Sequence, residues 1–119
     1  MLSKVHAAAL RGVDALPVEV EVHVGPGEER VVMVGLPDAA VRESIDRVST
    51  ALTSSGYHLP PGKTTVNLAP ADLRKEGPSF DLPIAVGWLI ASEQTDKGIS
   101  ADYAMIGELA LTGAVRRVK

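Results

Sequence analysis

The chain has 119 residues, no cysteine, 45% hydrophobic residues and a formal net charge of -3. That length suits one domain with its own core and no metal or disulfide staple. The missing thiols exclude disulfides, a cysteine nucleophile and zinc-thiolate sites, and the acidic balance argues against a free-standing nucleic-acid-binding module. The longest nearly unbroken apolar run, residues 82–91, falls well short of the roughly 20 residues that span a bilayer. No membrane partner is expected. Residues 7–10 are too brief an apolar stretch for a signal-peptide core and lead straight into Arg11-Gly12-Val13-Asp14. A cytoplasmic location is expected.

In chain order, residues 4–10 read as a short first strand, followed across a turn at Arg11-Gly12 by a second. There Val18, Val20, Val22 and Val24 alternate with Glu19, Glu21 and His23, which predicts one dry and one wet face. A Gly25-Pro26-Gly27-Glu28 turn leads to a third strand at residues 30–34, and these tight turns suggest an antiparallel meander. Asp38 is placed to cap a helix over residues 39–55, because its carboxylate can accept the orphan N-H groups of the first turn. Val41, Ile45, Val48 and Leu52 recur as its buried stripe, with Arg42, Glu43, Asp46 and Arg47 outside. Gly56 is placed to end it.

After Pro60-Pro61-Gly62, residues 63–68 form a fourth strand and a loop over residues 69–78 leads to a second helix. Pro83 falls in the first turn of that helix, where no intrahelical N-H bond is lost. Leu82, Ala85, Val86, Leu89 and Trp88 are its expected buried residues. A polar loop over residues 93–102 precedes a strand at 104–110 and a return strand from Ala114, joined at Leu111-Thr112-Gly113.

Several motifs carry less chemistry than they first suggest. Gly62-Lys63-Thr64 resembles the end of a phosphate-binding loop, but that motif needs an earlier glycine where this chain has Tyr57, and a helix where this chain enters a strand. His6, His23 and His58 are scattered over different elements, and nothing in the sequence places them as metal ligands. Glu19 with Glu21 reads as the wet face of a strand, and Glu28 with Glu29 as a turn.

The informative stretch is Asn67-Leu68-Ala69-Pro70-Ala71-Asp72-Leu73-Arg74-Lys75-Glu76-Gly77-Pro78-Ser79-Phe80-Asp81-Leu82-Pro83-Ile84-Ala85. Its Gly-Pro-Ser turn before a helix resembles the nucleophile turn of the Lon protease proteolytic domain. With Val34-Gly35-Leu36-Pro37-Asp38-Ala39-Ala40-Val41 before it and Gly107-Glu108-Leu109 after it, the stretch resembles the ComM family, also called YifB or magnesium-chelatase-like AAA+ ATPases. That resemblance spans nearly the whole chain. It implies an α+β fold like the Lon proteolytic domain, in the order βββαβα then a β-hairpin, with helices on one face of a mixed sheet. It also implies that residues 1–119 are one N-terminal accessory domain of a larger AAA+ protein whose ATPase domain lies outside this chain. ATP and magnesium would bind that other domain and no cofactor or metal this one. The implied parent is a hexameric motor that migrates branches or unwinds DNA in recombination and natural transformation. This domain's partners would then be its own AAA+ domain and neighbouring subunits, with weak or no DNA binding of its own. Two other readings stay open: a Lon-like serine peptidase, and part of a chelatase that inserts magnesium into tetrapyrroles.

The peptidase reading turns on Ser79, since a serine hydroxyl needs a base to attack. In Lon-type enzymes that base is a lysine whose position falls beyond Lys119, and in the ComM pattern that position is not lysine. Ser79 is therefore read as a cap of the second helix, not as a catalytic residue. Arg74 and Lys75, with Arg116 and Arg117 from the last hairpin, form a candidate contact surface. Its alternatives are a solvated salt-bridged rim, a protein contact, or a DNA backbone contact.

Overall fold

The computed structural model describes residues 1–11, 13–95 and 103–116, with the side chains of Leu10 and Arg11 outside the description. Its strands are β1 (Leu2–Arg11), β2 (Asp14–Gly25), β3 (Arg30–Val34), β4 (Lys63–Ala69), β5 (Glu108–Leu109) and β6 (Val115–Arg116). The helices are α1 (Ala39–Ser54) and α2 (Asp81–Ala91), the second preceded by a 3-10 turn at Pro78–Phe80. This is an α+β arrangement with a mixed sheet. Part of the expected 93–102 loop lies outside the described residues.

The main sheet has the order β1-β2-β4-β3. β1 and β4 both pair antiparallel with β2, while β3 runs parallel to β4. The expected meander of the first three strands is thus corrected: β4 lies between β2 and β3. Strand spacing explains the change. The turn between β2 and β3 is longer than a two-residue hairpin, and it leaves a gap of two spacings of about 4.8 Å, which β4 fills. Composition agrees, because Val66 and Leu68 of β4 are fully buried while Val31, Val32 and Met33 of β3 are only half-buried, as an edge strand allows. A parallel β3-β4 pair needs a crossover, and α1 supplies it.

Alternation along the strands sends one set of side chains to the helices. Val5 lies opposite Val20, and Val20 opposite Leu68; all three are buried. Each such side chain contributes about 1.5–3 kcal/mol by leaving water. The other face is wet, with Lys4, Glu21 and Asn67 in one row, and Asn67 Nδ2 donates to Glu21 Oε1 at 2.8 Å.

α2 packs on β1 and β2, and α1 packs on α2. The close approach needs Gly87, where an added Cβ would stand 2.9 Å from Val22 Cγ2. Ser3 Oγ donates to the Gly87 carbonyl at 2.7 Å across the same contact. The expected buried face of α2 is turned. Pro83, Ile84, Ala85, Gly87, Trp88, Ile90 and Ala91 are buried, whereas Leu82, Val86 and Leu89 are half-buried. A helix apolar all round gives periodicity no dry side to mark. The strand expected over residues 104–110 shrinks to Glu108–Leu109, paired with Val115–Arg116.

Candidate functional site: the charged loop and the Gly-Pro-Ser turn

Asp38 organises the first half of this region. Its Oδ1 accepts from Val41 N at 2.8 Å and caps α1, as its position predicts, while Oδ2 accepts from Gly77 N at 3.2 Å. Beside it, Lys75 N donates to Leu36 O at 3.0 Å and Asp38 N to Lys75 O at 2.9 Å. These bonds stitch the loop between β4 and α2 to the segment that enters α1.

The fate of Lys75 differs from expectation. It is fully buried, with its ammonium donating to the Pro70 carbonyl, so it does not belong to an exposed contact surface. Burial pushes its pKa below the ordinary lysine range, partly offset by Asp72. Arg74 is exposed but pairs with Glu76 at 3.3 Å, a geometry worth little in water. Arg116 is exposed on β6 and faces Glu108 across the hairpin. Arg117 lies outside the described residues. The structure therefore does not bring Arg74, Lys75 and Arg116 into one cationic edge: one is buried and the other two have acidic neighbours.

Ser79 needs a second correction. Neither the 3-10 turn nor α2 receives a side-chain cap. The reason is that backbone carbonyls already meet the first-turn donors: Asp81 N bonds Pro78 O, and Leu82 N bonds Gly107 O at 3.0 Å. Ser79 contributes its own carbonyl, which accepts from Gly107 N at 2.8 Å. The Gly-Pro-Ser turn is thus clipped to Gly107, the residue just before β5 of the last hairpin. Gly77, at φ +82, supplies the left-handed residue the turn requires.

Below that clip lies an ion pair that periodicity did not disclose. Asp81 is fully buried and accepts from Arg47 Nε at 2.8 Å, Arg47 Nη2 at 3.0 Å and Leu109 N at 3.1 Å. Arg47, expected on the outer face of α1, is half-buried and also donates to Ala40 O at 3.1 Å and Ser44 Oγ at 3.3 Å. Donating hydrogen bonds to the Asp81 carboxylate holds the guanidinium pKa above its ordinary value, against partial desolvation. One signal could have exposed the pair: Asp81 is the lone charge at the head of an otherwise apolar helix. Lys75 gives no such signal, because Arg74-Lys75-Glu76 reads as solvated.

Chemically, the region is a junction. Four elements meet in it, its one buried ammonium is occupied by a carbonyl, and its one buried carboxylate is occupied by a guanidinium and an amide. Among the described residues, no group of three or more His, Cys, Asp or Glu side chains is arranged to hold a metal ion, and no helix is long and apolar enough to cross a membrane.

The family profile described as subunit ChlI of Mg-chelatase matches residues 20–119. The protein YifB of Escherichia coli K12 is 53% identical over 117 residues, 98% of this chain and 23% of that protein. Competence protein ComM of Haemophilus influenzae is 47% identical over the same share of each chain. A Mycobacterium tuberculosis protein is 38% identical over 118 residues, 99% of this chain and 24% of its own length. The chain thus spans about a quarter of these relatives.

Proposed function

Since the chain belongs to the family of ComM and YifB, matched by the profile of the Mg-chelatase subunit ChlI, we propose that it is a non-catalytic, Lon-like N-terminal domain of a ComM-like AAA+ ATPase. The observation that carries this reading is the 47% identity to a protein named for competence, across 98% of this chain. In the proposal the parent is a cytoplasmic hexamer that uses ATP and magnesium, bound elsewhere in its sequence, to migrate or unwind branched DNA during recombination and transformation. Residues 1–119 contact the ATPase domain and neighbouring subunits.

Local geometry supports an accessory role. Gly62-Lys63-Thr64 enters strand β4, and Lys63 is exposed there, whereas a phosphate-binding loop must open a helix. Lys75, four residues before Ser79, commits its ammonium to Pro70 O.

The test compares the full-length protein with a form lacking residues 1–119 on a synthetic four-way DNA junction. ATP-dependent strand movement is expected from the intact protein, with ATP hydrolysis retained and coupling impaired in the truncated form. ATP or peptide turnover by residues 1–119 alone, abolished by Ser79→Ala in the peptide case, overturns the reading. The profile's description favours one rival, a chelatase subunit. Metal insertion into a tetrapyrrole, with no effect on DNA junctions, would establish that rival instead.

A further inference from the structure

β4 pairs with β2 only as far as Glu19, opposite Ala69, whereas β2 runs on beside β1 to Asp14. A groove of about 700 Å³ opens where β4 departs, lined by His6, Pro17, Glu19, Ala69, Pro70 and Tyr103 among others. The ladder fixes which groups face it. Met1 and Val24 exchange both backbone bonds, so along the unbroken β1-β2 register the even-numbered residues of β2 turn their backbone to β1 and the odd-numbered ones to the β4 side. The Pro17 carbonyl thus points past the end of β4, where no strand among the described residues meets it. Pro17 has no N-H to lose there.

Side chains alternate in the same way. Val18 and Val20 are buried on the helix side, so Glu19 stands on the open face of the sheet, half-buried. His6 lies across from it in a non-hydrogen-bonded pair, the kind in which side chains come closest, yet among the described residues no cationic side chain forms an ion pair with Glu19. Glu21, next on that face, is by contrast held by Asn67. The groove therefore presents a half-buried carboxylate without a counter-charge beside a strand carbonyl without a sheet partner.

We propose that this groove takes an arginine side chain from an extended segment of a protein partner. The planar fork of a guanidinium suits the Glu19 carboxylate, and the segment's own backbone N-H meets the Pro17 carbonyl. Tyr103, 63% exposed at the border of the groove, offers a ring on which a guanidinium stacks better than an ammonium. Pro17, Ala69 and Pro70 give the methylene stem apolar walls. A phosphate or an acidic segment fits poorly, because Glu19 repels it.

The chain is labelled with nitrogen-15 and titrated with capped alanine-arginine-alanine, its lysine and citrulline counterparts, and methylguanidinium. The expected result is saturable shifts of the Glu19, Ala69 and Tyr103 amides in the millimolar range with the arginine peptide, weaker binding of the lysine peptide and of methylguanidinium, and none of the citrulline peptide, which keeps the shape without the charge. Glu19→Gln should weaken the arginine peptide about tenfold or more, the loss of a charge-assisted bond, while Glu21→Gln on the same face should change it far less. Should Glu19→Gln not fold, the citrulline arm on the parent chain decides. No saturable shift with the arginine peptide, equal binding of citrulline or of methylguanidinium, or equal losses in the two variants overturns the proposal.

Discussion

Arg47 grips the buried carboxylate of Asp81 through two parallel N-H···O bonds, 2.8 Å to Oδ2 and 3.0 Å to Oδ1. The same carboxylate accepts Leu109 N, so one ion pair fastens α1, α2 and the last hairpin. Removing the arginine leaves Asp81 buried without a counter-charge. Arg47→Ala should therefore cost about 3–5 kcal/mol. Arg47→Lys should recover only part of it, because an ammonium cannot reproduce the bidentate fork. Urea melts of both variants check this, and a lysine variant as stable as the parent would show that charge alone suffices.

Ser79 and Asp38 make a contrasting pair. Since Ser79 caps neither the 3-10 turn nor α2, Ser79→Ala should alter stability by no more than about 0.5 kcal/mol. The cost of losing a cap, about 0.5–2 kcal/mol, falls on Asp38→Ala, which also releases Gly77 N. Chemical denaturation of the two variants side by side should separate them; equal losses would restore a capping role to the serine.

Two glycines should rank by what an added methyl meets. At Gly87 it stands 2.9 Å from a valine methyl, so Gly87→Ala should cost about 1–3 kcal/mol through overpacking. At Gly35 it would stand 2.1 Å from the Leu68 carbonyl oxygen at φ +108, where both backbone and sterics oppose a side chain. Gly35→Ala should be the more damaging in thermal melts, and the reverse order would contradict the packing described.

Lys75 makes stability depend on alkaline pH. Its folded pKa is lowered by burial, so the folded state sheds this proton at a lower pH than the unfolded chain, whose lysine titrates near about 10.4. The unfolded state then binds more protons in that window, and stability contributed by this group rises with pH through it. Below the folded pKa the full desolvation cost remains. Denaturant midpoints measured from pH 7 to 10.5 should climb for the parent relative to Lys75→Met, and parallel curves would mean that the ammonium is not desolvated.

Side-chain alternation along β2, the capping aspartate before α1 and the Gly-Pro-Ser stretch were legible in the residues, because each depends on neighbours a few positions away. Asp38, for instance, caps the helix it precedes whatever the rest of the chain does. Strand order was not legible. A turn constrains the two strands it joins, but whether a third slips between them depends on which strand buries both its valine and its leucine in the centre, and β4 arrives more than thirty residues later. Charge placement was likewise a tertiary outcome. Lys75 and Arg47 look solvated beside their sequence neighbours, and only the packing of α2 against α1 and the loop decides that one ammonium is enclosed and one guanidinium meets Asp81. Local patterns report local energies, whereas burial of a charge is set by partners from distant segments, 34 residues apart in the Arg47-Asp81 pair.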